Sequence, residues 1–230
     1  MANVEGIDVT QKILVAQEEL GLDVADLLTG QARAGQGIWR AAQSRLDNVV
    51  VTPALKLWHT FRSLEMFYGE AYASQLSARY ATKRDQFHER AKWALERLVL
   101  TGLGIASSPI PRAAEPTVVT VEGRLADGTY YVAVAWSNER GEEGAPSVVT
   151  ECTTAGSTLL VQVESPPSPM AGWNVYAGVD PAVLWRQNGE PIAVGLAWVQ
   201  PNAIVTGGKG LGCGQAPSYL MPIPRVILRG

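Results

Sequence analysis

At 230 residues the chain has room for one large domain or two ordinary ones, and 47% hydrophobic against 18% charged residues excludes disorder along its length. A formal net charge of −3 excludes the chain-wide basic surface of a free nucleic-acid-binding protein. The two cysteines, Cys152 and Cys213, have no CxxC or Cys/His spacing, which predicts free thiols in a reducing cytoplasm rather than a disulfide framework or a zinc site.

The first ten residues lack the basic and apolar regions of a signal peptide, and no apolar run reaches the ~18 residues of a membrane span, so a soluble, non-exported protein is expected. Helical periodicity comes first. Leu14, Leu20, Val24, Leu27 and Leu28 recur at intervals that share one apolar face, and a shorter run, Ile38, Ala41, Ala42 and Leu46, follows Gly35 and Gly37. Thr52-Pro53 is the clearest start signal: Thr accepts a bond from a free backbone N–H, and Pro at the first helical position has no N–H to waste. Beyond it Leu55, Trp58, Phe61, Leu64, Met66, Phe67 and Tyr68 form a broad apolar face, with a bend or break expected near Gly69. The period resumes through Tyr72, Leu76, Tyr80, Phe87, Ala91, Ala94, Leu95 and Leu98, and Gly102 and Gly104 serve as stops. The reading is a helical hairpin or bundle over residues 1–105, with Trp58, Phe61, Phe87 and Trp93 as packing anchors.

Prolines at 109, 111 and 116 predict an extended linker over residues 106–116. Past it the period drops to two. Val118 to Val121, Tyr130 to Trp136, Val148 to Thr150, Leu159 to Val163 and Trp173 to Tyr176 read as short strands of a sandwich over residues 117–206. Residues 207–230 read as a Gly-rich tether followed by an apolar tail whose three prolines exclude a helix or a central strand. Such a tail either tucks onto its own domain or docks into something else, and docking is the expectation.

Chemistry-bearing motifs are scarce. His59 and His88 are the only histidines; His88 has Asp85 and Glu89 nearby, a pattern that also describes an ordinary charged helix face. The run 207–214 lacks GxxxxGK[ST], and no Gly-x-Ser-x-Gly elbow is present, so no catalytic residue, cofactor or metal is assigned. Residues 31–97 carry eleven Lys and Arg against six Asp and Glu, which is either a solvated helix face or a stripe facing a polyanion. Four of the seven tryptophans, Trp136, Trp173, Trp185 and Trp198, lie in the β half, as core, as subunit contacts or as a glycan-binding groove.

The stretch from Gly128 to Ser147, GTYYVAVAWSNERGEEGAPS, resembles the late strands of fibronectin type III-like domains. Leu159 to Val163, Pro166-Pro167 and Gly172-Trp-Asn-Val-Tyr-Ala-Gly178 look like that fold's early strands, here placed after the late ones. Such modules are similar to those of tailed-bacteriophage virion proteins. The helical half, through Val51 to Phe61 and Lys83 to Trp93, resembles phage head–tail adaptor (connector) proteins. The resemblance implies a non-enzymatic α+β multidomain protein: a helical bundle, an Ig/fibronectin III-like β-sandwich and an extended C-terminal arm. It implies a ring, commonly a dodecamer, in the virion neck between capsid and tail, made in the bacterial cytoplasm and contacting portal and tail or nozzle proteins. Tyr219, Pro222, Ile223, Pro224, Arg225, Val226, Ile227 and Leu228 would then be the portal-docking arm, and Arg79, Lys83 and Arg84 a face toward packaged DNA, touched without sequence specificity. The rival expectations are a glycan- or cell-surface-binding accessory protein and a neck or tail-completion protein.

Overall fold

A computed structural model describes residues 7–33, 45–75 and 77–223 of the chain. Three α-helices are described, α1 (Val9–Arg33), α2 (Pro53–Gln75) and α3 (Ala78–Thr101), and antiparallel sheets follow them, so the fold is α+β. The short run expected around Ile38 lies outside the described residues, apart from Leu46 in a 3₁₀ turn, Leu46–Asn48.

The chain divides into two compact units, and they are nested rather than consecutive: residues 1–107 join 217–230 in the first, and Ser108–Ala216 forms the second. The expected linker and tether boundaries at 106–116 and 207–230 therefore fall elsewhere. A three-residue pairing makes the nesting possible. Strand β1 (Leu103–Ile105) pairs antiparallel with β9 (Tyr219–Met221), Leu103 opposite Met221 and Ile105 opposite Tyr219. The other edge of β1 is taken by the segment before α2, where Val50 N–H donates to the Gly104 carbonyl at 2.9 Å and Ala106 N–H to the Asn48 carbonyl at 2.7 Å.

The core of the first unit combines Leu20, Val24 and Leu28 of α1, Leu55 and Trp58 of α2, Ala91, Ala94 and Leu98 of α3, and Met221 and Ile223 from the returning C-terminal segment. Helix α2 starts where Thr52-Pro53 predicts, with Leu55 N–H 3.5 Å from Thr52 Oγ1. It runs unbroken through Gly69, contrary to the expected bend. The ~1 kcal/mol propensity cost of a single Gly is small beside the packing of α2 on α3, and a Cβ there would merely touch Arg84 Cδ at 3.9 Å. Helix α2 ends at Gln75 and α3 begins at Ala78.

The second unit is two sheets around one core. Strands β2 (Thr117–Glu122), β5 (Ser157–Gln162) and β8 (Trp198–Val199) form the sheet β2-β5-β8. Strands β3 (Gly128–Ser137), β4 (Thr150–Thr154), β6 (Gly172–Asp180) and β7 (Val183–Arg186) form β4-β3-β6-β7. Tyr130, Val132, Val134 and Trp136 of β3, Trp173, Val175 and Ala177 of β6, and Leu159 and Val161 of β5 fill the space between the sheets. Val148 and Val149 precede β4 and are exposed.

Two segments expected to be loose are packed. In the Pro-rich stretch Ile110 and Ala113 are buried in the sandwich core, and Ala113 N–H donates to the Ala145 carbonyl at 3.1 Å. Gly144 permits this approach: a Cβ there would lie 2.7 Å from Ile110 Cγ2 and from the Pro111 carbonyl oxygen. The Gly-rich run is a strap rather than a tether. Arg186 N–H donates to the Lys209 carbonyl and Leu211 N–H to that of Leu184, extending the sheet past β7. Leu211 then packs with Ala133, Ala135, Tyr176 and Leu184 on the outer face of the sheet. Small side chains at 133 and 135 leave the depth a strap needs.

Candidate functional site

The arm residues divide at Ile223. Tyr219 lies in β9, Met221 is buried in the first unit, and so is Ile223 beyond Pro222. Met221 and Ile223 are thus packed into the chain's own helical unit, and Tyr219, whose ring stays exposed, is paired there through its backbone, where a free docking arm of Tyr219, Pro222 and Ile223 was expected. Met221 and Ile223 gain about 1.5–3 kcal/mol each from burial there. Pro224, Arg225, Val226, Ile227 and Leu228 lie outside the described residues.

Among the described residues, apolar side chains are exposed on both sides of α1. Between α1 and α2 run two open grooves that share His59. One, of about 360 Å³, is lined by Val9, Ile13, Leu64 and Phe67, and the other, of about 440 Å³, by Leu20, Val24, Val49 and Leu55. His59 Nε2 donates to the Ile13 carbonyl at 3.2 Å and so ties the two helices where the grooves meet. On the side of α1 turned away from this core, Val15 and Leu22 sit seven residues apart and exposed, Leu22 to 71%.

A polar chain crosses the three helices nearby. Arg62 donates to Glu19 Oε2 from Nε at 3.1 Å and from Nη2 at 2.9 Å, and to Glu65 Oε2 from Nη1 at 3.0 Å. Glu65 also takes His88 Nδ1 at 2.8 Å. Burial alone would lower the Arg62 pKa, but the bonds to Glu19 and Glu65 outweigh it and raise it. His88 is thus tied to α2, not to Asp85 or Glu89 on its own helix. Lys12 and Glu70 add a second α1–α2 ion pair.

Of the basic residues singled out, Arg79 and Lys83 are exposed on one face of α3 and Arg84 is not with them. Arg84 pairs with Asp85 at 2.7 Å and lies over the Tyr72 ring. One turn along α3, Phe87 stacks on Tyr68 with centroids 5.5 Å apart and on Phe61 at 6.3 Å, so Phe61 and Phe87 act as anchors as expected. Trp93 does not: it is 45% exposed.

In the sandwich Trp136 and Trp173 face each other across β3 and β6 and are fully buried, which removes them from any sugar-stacking groove; Trp185 and Trp198 are half-buried. A feature absent from the motif survey is the carboxylate of Glu143. It accepts the Tyr176 hydroxyl at 2.8 Å, Asn174 Nδ2 at 2.6 Å and Lys209 Nζ at 2.9 Å. Burial first, then these contacts with Glu143, push the Tyr176 hydroxyl far above its ordinary pKa. This network pins the strap through Lys209, and its groups are consumed by one another. Burial likewise raises the Cys152 thiol, and Cys213 is exposed. Among the described residues no three His, Cys, Asp or Glu side chains cluster to hold a metal ion, and no helix is long and apolar enough to cross a membrane.

Comparisons with protein families, with curated proteins and with solved structures found no match to this chain.

Proposed function

We propose that the protein is a structural assembly module of the head–tail adaptor type, which builds a ring of copies through its helical unit and carries an Ig/fibronectin III-like sandwich. The observation that carries the reading is the pair of apolar surfaces on α1, a groove on one side and the Val15–Leu22 ridge on the other. A groove and a ridge on different faces are not self-complementary. A contact that joins one to the other is head-to-tail, and head-to-tail contacts close into rings when the rotation per copy permits.

The sandwich supports the finer fold assignment by its order. Hairpins β3–β4 and β6–β7 lie side by side in one sheet with β5 in the other, and the hairpin that resembles the late strands comes first in the chain. That order supports an Ig-like arrangement read from a different starting point. Contact with a portal, on this reading, falls to the sequence after Ile223, since residues up to it are engaged at home.

The test uses Leu22→Glu and Ile13→Asp, one on each surface, with mass measured by native mass spectrometry. The wild type is expected to form a discrete multimer. Each variant alone should fall to monomer, and a mixture of the two should stop at dimers, because each retains one intact surface. A wild type and variants with identical masses would remove the reading.

A further inference from the structure

The geometry points to α3 as a sequence-independent binding face for a nucleic-acid backbone, made by Arg79, Lys83, Arg90 and Arg97. This inference does not depend on ring formation, because one helical unit contains the whole surface.

At 3.6 residues per turn these four positions fall within about 40° of one another around the helix and span about 27 Å along it. All four side chains are exposed. The acids of the same helix, Asp85, Glu89 and Glu96, lie about 80° or more away. Among the described residues none of the four cations pairs with a carboxylate; the ion pairs of α3 belong to Arg84, His88 and Lys92. Lys83 donates only to the Gln86 amide, at 3.2 Å. Across the hairpin Glu65 and Glu70 are committed to Arg62, His88 and Lys12.

The three arginines rest on rings instead. Arg79 lies 5.2 Å from the Tyr80 centroid, Arg90 5.7 Å from Phe61 and 5.9 Å from Phe87, and Arg97 5.4 Å from Trp93. A ring orders a guanidinium without neutralising it, which leaves the planar fork free for a phosphate at reduced entropic cost. Trp93 is itself exposed beside the stripe. A chain of net charge −3 attracts polyanions weakly as a whole, so binding must come from this local field. The stripe's length matches about eight phosphates of one strand at 3.4 Å of axis each.

The experiment is fluorescence anisotropy of a labelled 30-base-pair duplex with the full chain at 25–200 mM salt. Four phosphate contacts predict a slope of log K against log salt near −3.6, or about 150-fold weaker binding at 200 than at 50 mM. The variant R79Q/K83Q/R90Q/R97Q is expected to lose binding, and R84Q/K92Q, which removes paired charges off the stripe, to retain it. Should the quadruple variant fail to fold by circular dichroism, each single variant should flatten the slope by about 0.9. No binding at 25 mM salt, equal loss in R84Q/K92Q, or single variants that leave the slope unchanged would overturn the inference. Binding to phosphatidylserine vesicles without binding to duplex would overturn it in favour of a membrane surface.

Discussion

Replacing Gly102 by Ala tests whether the C-terminal strand belongs to the helical unit. Gly102 has φ 89° and ψ 166°, a region essentially reserved for glycine, so any side chain costs about 1–3 kcal/mol in backbone strain. A Cβ would also meet the Met221 carbonyl oxygen at 2.7 Å and its carbon at 3.1 Å, and both are backbone atoms that cannot swing aside. Strand β9 must shift, which breaks its pairing with β1 and loosens Met221 and Ile223. We expect β9 and β1 to lose about 2–4 kcal/mol of local stability, read by hydrogen exchange as roughly a 30- to 1,000-fold loss of amide protection. Amides of β3 and β6 should be unaffected. Gly21→Ala supplies a contrast: it sits within α1 with nothing within 4 Å of the new Cβ, so it should stabilise the unit by about 1 kcal/mol. If Gly102→Ala leaves the protection of β1 and β9 unchanged, the account of the nested strand is wrong.

Other substitutions test the remaining links. Tyr176→Phe removes the single hydroxyl donor that both oxygens of the Glu143 carboxylate face, and should cost about 1.5–3 kcal/mol in urea unfolding at pH 8. Because the folded Tyr176 pKa is raised, its stabilising contribution is fully present below pH 10, its ordinary value, and is lost as pH rises above that. The stability gap between wild type and Tyr176→Phe should therefore narrow at pH 11 relative to pH 8, and a constant gap would count against the buried network. Arg62→Met should cost about 1 kcal/mol after allowance for solvent screening of a half-exposed group, and the loss should shrink in 1 M salt. Replacing residues 108–216 by a four-residue turn should leave a helical unit that unfolds cooperatively. A chain without cooperative helical unfolding would show that the sandwich is needed for its host.

The three helices were legible because their apolar residues keep one period over six turns or more, and Thr52-Pro53 marks a start that needs only local chemistry. The strand from Tyr130 was legible through alternation, and that from Trp173 as a short run between turn residues. The nesting was not. Leu103 and Met221 are paired by three residues on each side, too few to leave a periodic signal, and the stop glycines hid a second role as sites of close approach to the returning strand. The strap was misread for a related reason. Its glycines suggest looseness, whereas the depth that holds it is made by Ala133 and Ala135 far away in sequence. The basic face was half legible: 79 and 83 stand at helical spacing, but neighbouring Arg84 was grouped with them by proximity in sequence. A helical wheel carries the stripe on to 90 and 97 instead.

Sedimentation velocity of the purified 24.7 kDa chain, followed by electron-microscope class averages of any assembly, bears most directly on the proposal that α1 joins copies. The account predicts one multiple of that mass and closed, rotationally symmetric particles. A single monomer peak across the micromolar range, with no closed particle in any field, would contradict it.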